Sequence, residues 1–494
     1  MKMPSRLHGQ KSVIDSAAGV PPKAQSPSPS FFTKTAKSEK TRSFEGRGLK
    51  RAWAETIREF FRFRECHTNL KKEIGGGLTT FMTMSYIIFV QPAILSIAGM
   101  DKGAVMVATC LSSAIATLLM GLLTNYPFAL APAMGHNIFF AVIVCGTMGY
   151  PWQTALGAVF ISGILFIGLS VLGAWAHLVE SIPDSLKQAI AVGIGLLITL
   201  IGLQYGGLVV DTPGVLVGLG KLSSPPALLT LFGVGLITVL MVRRVAGSIL
   251  WGILATALLG LPMGVVSYQG IVAPPPSLDP TLFQLDVLGA LQSGLIAVVF
   301  VFFFLDLFDT MGTLVGLSSQ CGYIKDGKLP RVNRAMLADA VGTVSGALLG
   351  TSTVTSYIES ATGIAQGART GFANMVTALL FITALFLSPL AEMIGGDYLY
   401  EGMTLHPVIA PALIMVGFLM IKGVTRIDWE DLTEAIPAFL TIIIMPMTIS
   451  ITEGIAFGFI AYSLLKWMSG RVQEAHWIIH LLAVLFIVRY LFLG

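Results

Sequence analysis

Fourteen apolar runs follow one another from Gly75 to Met468, at about 75–98, 104–123, 132–147, 152–176, 184–206, 226–242, 247–264, 288–319, 334–350, 357–367, 372–395, 407–421, 431–448 and 451–468. Most approach the roughly 20 residues that carry an α-helix across a hydrocarbon core. Only 12% of the 494 residues are charged and the mean hydropathy is +0.79, whereas a soluble domain keeps its surface wet with roughly 25% charged residues. The pattern predicts an all-α polytopic membrane protein. Beyond the first 70 residues no polar stretch is long enough to fold as an attached soluble enzyme. The four cysteines, Cys66, Cys110, Cys145 and Cys321, have neither metal-ligand nor disulfide spacing and serve as small apolar fillers.

The flanks and loops set the orientation. Residues 1–50 carry ten Lys/Arg against three Asp/Glu and few large apolar residues, so a disordered basic tail is expected. Targeting is a second reading of the tail, although it lacks the apolar run of a secretory signal. Residues 51–73 suit a basic amphipathic helix lying on anionic headgroups. With the amino terminus inside, the cytoplasmic segments hold 28 Lys/Arg and the outside loops only Lys102 and Lys221, as the positive-inside rule requires. A multi-pass protein of the cell (inner) membrane with a cytoplasmic amino terminus is therefore expected. The apolar stretch within 469–494 is either a fifteenth span or a helix packed against the bundle.

Two runs are unusual. The third, PFALAPAMGHNIFFAVIVCG, and the tenth, GTSTVTSYIESATGIAQG, each begin with an extended Pro/Thr/Ser stretch before a short helix. Irregular backbone at membrane depth is tolerated only where protein or a water-filled cavity satisfies its polar groups, and paired broken spans point to a transporter site between inverted repeats. An offset of 222 residues carries Asn137 to Glu359, Gly195 to Gly417 and the first span into the eighth. The expected organisation is a seven-plus-seven inverted repeat, 74–264 and 265–468, with spans 3 and 10 broken.

Ionisable residues inside a membrane are expensive, so each is a candidate for function. Span 8, FFFLDLFDTMGTL, supplies Asp306 and Asp309; span 10 supplies Glu359; span 3 supplies His136 and Asn137. Carboxylates at Glu359 and Asp309 accept N–H donors, Asn137 and half-helix amides meet acceptors, and Phe308, Tyr357 or Phe139 offer flat apolar faces. A planar nitrogen heterocycle such as a purine base fits that set, and a buried carboxylate without a cation is suited to carrying a proton. Glu359, Asp309 and Asp306 are thus the candidate proton-coupling groups. Asp306 reads equally well as a structural hydrogen-bonding group, His136 as a packing residue rather than a relay, and the Thr/Ser run 351–356 as backbone support. Glu453 and Glu180 are expected to be structural or interfacial. No cofactor, metal signature, nucleophile constellation or nucleic-acid motif is present in the sequence, and GGG at 75–77 lacks the Lys-Ser/Thr of a phosphate loop.

The motifs GGGLTTFMTMSYIIFVQPAIL, APAMGHNIFFA, DLFDTMGTLVG and TSYIESATGIAQGARTG resemble those of the AzgA-like adenine/guanine/hypoxanthine permease branch of the nucleobase–ascorbate transporter superfamily. The resemblance runs from about Glu73 to Met468. It implies a core domain (spans 1–4 and 8–11), a gate domain (spans 5–7 and 12–14), proton symport of purines, and a homodimer moving in an elevator-like way. Its span 8 carboxylate falls on Asp309, its span 10 glutamate on Glu359 and its span 3 asparagine on Asn137. His136 stands where the family usually has an apolar residue, and Gln91-Pro92 where it has Asn-Pro. A uracil or xanthine carrier, or an anion carrier of the same architecture, is the nearest rival. An intramembrane aspartyl protease would need a Gly-x-Gly-Asp motif that is absent.

Overall fold

The computed structural model describes residues 55–173, 183–212, 215–292, 295–323 and 329–492. The basic tail 1–50, Glu180, Lys325 and Lys328 lie outside them. Each apolar run in the described residues folds into helix, and seven helical stretches are long and apolar enough to cross a membrane: Leu70–Ser96, Lys102–Thr124, Trp152–Leu172, Asp184–Tyr205, Pro225–Val242, Ile296–Leu314 and Phe372–Ile394.

The first run bends at Ser85–Tyr86 between α1 (Leu70–Met84) and α2 (Ile87–Ser96). After α3 (Lys102–Thr124) the chain forms strand β1 (Leu130–Pro132), the short helix α4 (Met134–Ile138) and a π-helical continuation, Phe139–Thr147. Helices α5 (Trp152–Leu172) and α6 (Asp184–Tyr205) follow. A hairpin of β2 (Val209–Thr212) and β3 (Val215–Leu219) leads to α7 (Pro225–Val242) and α8 (Ser248–Gly260). Next come α9 (Val287–Gln292), α10 (Ile296–Cys321) and α11 (Val332–Leu349). Strand β4 (Val354–Ser356) and the short helix α12 (Ser360–Gln366) form the second broken segment. Helices α13 (Phe372–Ala384) and α14 (Ser388–Ile394) precede the hairpin of β5 (Tyr398–Tyr400) and β6 (Met403–Leu405). The chain ends with α15 (Ala410–Met420), α16 (Leu432–Thr448), α17 (Ile451–Met468) and α18 (Trp477–Phe492).

The two broken segments meet inside the bundle. Strands β1 and β4 pair antiparallel, with Leu130 opposite Ser356, Ala131 opposite Thr355 and Pro132 opposite Val354. The ladder continues at both ends, from Ala133 N to Thr353 O (3.0 Å) and from Tyr357 N to Ala129 O (2.9 Å). Outward-pointing backbone groups find side chains on the neighbouring helices. Thr117 of α3 bonds the O and N of Leu130 at 3.0 and 2.9 Å, and Thr343 of α11 bonds the O and N of Val354 at 3.1 and 3.3 Å. Asn374 of α13 donates to Phe128 O at 2.7 Å. Each bond removes the cost of an unsatisfied polar group in a low-dielectric interior.

Elsewhere close packing depends on absent side chains. Helices α6 and α15 cross where Gly195 meets Gly417, the pair related by the 222-residue offset, and a Cβ on Gly417 would lie 2.3 Å from the Gly195 carbonyl oxygen. Small residues at such crossings let helix backbones approach in place of a hydrophobic driving force.

Two expectations about the ends need comment. The amphipathic helix expected over 51–73 is interrupted: residues 55–60 are helical, but Arg62 and His67 take left-handed φ of 55° and 51°. Asn69 then caps α1 through Lys72 N at 3.0 Å. Phe61 and Phe63 turn inward against the Phe372 ring, at centroid distances of 5.7 and 5.8 Å, so those rings do not face headgroups. At the other end α18 packs on α17, with Tyr490 donating to Glu453, Ser463 bonded to His480 at 2.7 Å and Phe459 beside Phe486.

An ion-pair cluster ties α16, α17 and the turn into α18 together. The Lys466 ammonium contacts Glu474 at 2.9 Å and Glu434 at 3.1 Å, while Arg471 contacts Asp431 at 2.8 Å and Glu474 at 2.7 Å. Arg471, and then Lys466, hold the Glu474 carboxyl down at about 2.

Two predictions follow from these contacts. Gly417→Ala must push α6 from α15 and is expected to cost about 1–3 kcal/mol, read as a lowered Tm of the solubilised protein. An unchanged Tm would show that the crossing opens freely. Because Glu474 is depressed in the folded state, its contribution is complete above the ordinary carboxyl range near 4 and fades as pH falls towards 2. The Tm difference between wild type and Arg471→Ala should be largest near neutral pH and shrink on acidification. A difference that grows with acid would contradict the assignment.

Candidate functional site

Helix α10 delivers two aspartates one turn apart, and they end in different surroundings. Asp306 is fully buried, accepting from the Thr343 hydroxyl at 3.2 Å. Asp309 sits deep in the bundle yet keeps part of its surface accessible, and its Oδ2 accepts from Thr355 of β4 at 3.2 Å. The strand pairing therefore presents Thr355 to a group on α10.

Glu359 occupies the position just before α12, with φ −58° and ψ −20°. It too is deep but partly accessible, and lies within electrostatic range of Asp309. Its Oε1 accepts from the Tyr86 hydroxyl at 2.9 Å. Tyr86 is at the bend between α1 and α2, and one turn earlier Thr83 bonds the Thr362 hydroxyl at 2.9 Å. The bend in the first span thus clamps the start of the second broken helix. Among the described residues neither Asp309 nor Glu359 forms an ion pair.

Asn137, on α4, is fully buried and engaged at both ends of its amide. Its Nδ2 donates to Gln91 Oε1 and its Oδ1 accepts from the Ser352 hydroxyl. Gln91 also donates to Thr351 Oγ1 at 2.8 Å. In this conformation Asn137 joins the two broken segments to α2 and has no free polar atom for a ligand. The Tyr357 hydroxyl is spent on the Pro132 carbonyl and its ring is only 6% exposed, whereas Ile358 beside it is 46% exposed. His136 is buried with Nε2 unbonded. Phe139 packs edge-on against Phe302 at 4.9 Å, within the core. The side chain of Phe308 lies outside the described residues.

The structure therefore brings Asp309, Glu359 and the β1–β4 junction together and sets Asn137, His136 and Asp306 behind them. Sequence reasoning missed Tyr86, whose role depends on a bend with no distinctive signature. It also missed Asp339 on α11, fully buried and bonded by Thr310 at 2.8 Å; the cost of an ionisable residue in an apolar run would have flagged it. Gln91 stood out only as a departure from a family pattern.

The β1–β4 junction offers two partly accessible acceptors of N–H hydrogen bonds that no cation among the described residues neutralises, next to the starts of two short helices. That arrangement suits a neutral, donor-bearing solute and a proton better than an anion, which two carboxylates would repel.

Comparison with known proteins agrees with a carrier. A permease of Methanocaldococcus jannaschii is 53% identical over 89% of this chain and 99% of its own length. The guanine/hypoxanthine permease PbuG of Bacillus subtilis is 44% identical over 88% of this chain and all of its own, and the adenine permease AdeP of Escherichia coli is 42% identical over 88% and 96%. In fold the chain is similar to the transmembrane domain of the cyanobacterial bicarbonate transporter BicA, with TM-score 0.57 at 18% identity over 79% of this chain and 97% of that one. It is similar also to SLC26A9, with TM-score 0.58 at 13% identity over 89% and 72%. The Permease family profile matches residues 71–457, and the chain belongs to that family of membrane transport proteins, in the branch that holds the adenine and guanine/hypoxanthine permeases.

Proposed function

We propose that this protein carries purine nucleobases, namely adenine, guanine or hypoxanthine, across the cell membrane in symport with protons. The observation that carries the reading is the pair of accessible carboxylates without cations, Asp309 and Glu359, at the junction of the two broken segments. A purine presents N–H donors to such acceptors. Relatives with 42% and 44% identity named as adenine and guanine/hypoxanthine permeases support that cargo. The likeness to a bicarbonate carrier extends to the fold alone.

The proposed cycle assigns both recognition and coupling to Glu359. Its Oε1 receives the Tyr86 hydroxyl; purine meets the carboxyl while it is ionised, and a proton taken up afterwards neutralises the loaded site for movement. Bound purine adds an N–H donor, a charge-assisted bond worth about 1.5–3 kcal/mol. Asp309, held by Thr355, is the second acceptor. Asn137 acts through Gln91 and Ser352, fixing both short helices in register rather than touching the cargo.

The architecture proposed around this site is fourteen spans in two inverted sevens, with a core domain (spans 1–4 and 8–11) moving against a gate domain (spans 5–7 and 12–14). The meeting of Gly195 with Gly417 and the pairing of β1 with β4 support the repeat. The proposed setting is the inner membrane, with the amino terminus cytoplasmic, two copies forming a dimer, and the α18 tail lying against α17.

For the site, uptake of labelled adenine, guanine, hypoxanthine, xanthine and uracil into proteoliposomes is expected to favour the first three, to collapse with a protonophore and to ignore sodium. Glu359→Gln replaces an acceptor oxygen with a donor and should weaken purine binding by about tenfold to a hundredfold while uncoupling residual uptake from the proton gradient. Unchanged affinity with full protonophore sensitivity would make Glu359 structural. For the orientation, a cysteine replacing Lys221 should react with an impermeant reagent from outside, and one replacing Lys422 should not, in a chain lacking its native cysteines. The reverse pattern would invert the topology.

A further inference from the structure

Asp306 on α10 and Asp339 on α11 form a carboxyl pair that the transport reading does not use. Both are fully buried and cross-linked at close range: Thr343, one turn after Asp339 on α11, bonds Asp306, and Thr310, one turn after Asp306 on α10, bonds Asp339. One oxygen of each carboxyl receives a donor. Thr343 bonds Asp306 Oδ2 at 3.2 Å and Thr310 bonds Asp339 Oδ1 at 2.8 Å. Asp306 Oδ1 and Asp339 Oδ2 receive no hydrogen bond from any donor. Among the described residues neither carboxyl forms an ion pair. The other titratable group that faces them is Asp309, one turn along α10 and itself acidic.

Two ionised carboxylates cannot stay in contact without water or a cation: each buried charge costs several kcal/mol and their repulsion adds to it. Buried acceptors that face each other need a hydrogen between them. We propose that Asp306 and Asp339 share one proton, which stays occluded throughout transport and braces α10 and α11 behind β4. The accessible surface of Asp309 and Glu359, and its absence at the pair, separates the exchanging protons from the fixed one. The same hydroxyl holds the strand: Thr343 Oγ1 accepts from Val354 N and shares its one hydrogen between Asp306 Oδ2 and Val354 O, while Ser356 Oγ donates to Thr310 O at 3.5 Å. Asp306 is thereby removed from the coupling groups. The pair's geometry carries the inference whatever the cargo, although its bearing on coupling rests on the proton-symport reading.

Infrared spectroscopy of the protein in lipid vesicles tests it. Wild type should show a carboxylic-acid C=O band that persists from about pH 5 to about pH 9, far beyond the ordinary carboxyl range near 4. The band should be indifferent to sodium and retained in Glu359→Gln. In Asp339→Asn the amide donates the hydrogen bond that the proton made, so the band should vanish while the proton-to-substrate ratio of uptake stays that of wild type. A wild-type band that titrates away by pH 9, or disappears when sodium is added, would overturn the proposal and point to an exchangeable proton or a cation site. A changed ratio in Asp339→Asn would overturn it as well, and the wild-type pH and sodium series decides alone if that variant does not fold. Loss of purine uptake by wild type would refute the cargo and leave the band untouched.

Discussion

The structure depends on satisfying the backbone of two short extended segments deep inside an apolar bundle. Six residues in two strands expose C=O groups and, at all but Pro132, N–H groups that a helix would have bonded internally. They pair with each other along β1 and β4, Thr117 and Thr343 meet further groups of Leu130 and Val354, and Asn374 holds the Phe128 carbonyl just before β1, from three different helices. Those three residues fix how α3, α11 and α13 stand around the junction. A carrier site follows from the same constraint, because a chain that stops being helical here leaves two short helices beginning next to each other.

The polar residues around the junction divide by access. Asn137, Gln91 and Ser352 bond among themselves, and Asp306 and Asp339 face each other with threonines on either side. These groups lie behind the strands and specify their register. Asp309 and Glu359 alone of the candidate acidic residues keep some accessible surface, each with a single hydroxyl donor, Thr355 or Tyr86. A carboxylate with one donor retains acceptor capacity for a ligand. The Asn137 amide has both polar atoms engaged by protein and no exposed surface through which a ligand could reach it.

Much of this was legible in the sequence. Apolar runs became helices, and Pro/Thr/Ser stretches before Met134 and Ser360 became strands because neither segment has the uninterrupted apolar character of a span. Asp309 and Glu359 were visible through the cost of charge in lipid. The partners were not. Nothing local says that the Tyr86 hydroxyl 273 positions away ends on Glu359, since that contact depends on how two bends are superposed. Asp339 was available to the rule that found Asp306 and was passed over inside a run of small residues. The stretch 51–73, read as one basic amphipathic helix, is interrupted for a different reason: Phe372 offers Phe61 and Phe63 a buried partner that a continuous helix does not foretell.

The two broken segments are alike in backbone and unlike in chemistry, and the difference assigns their work. In the first, the short helix carries an amide whose hydrogen bonds all run to protein, so its orientation is fixed by α2 and by the loop before β4. In the second, the corresponding place holds a carboxylate tethered by one tyrosine from a bend. On the proposed reading, a fixed element opposite a lightly tethered one would let a bound solute and a proton change the charge of one side only. The β1–β4 register would then stay in place through that single change, because the donors that hold the strands, Thr117 and Thr343, lie outside the proposed contacts with the solute.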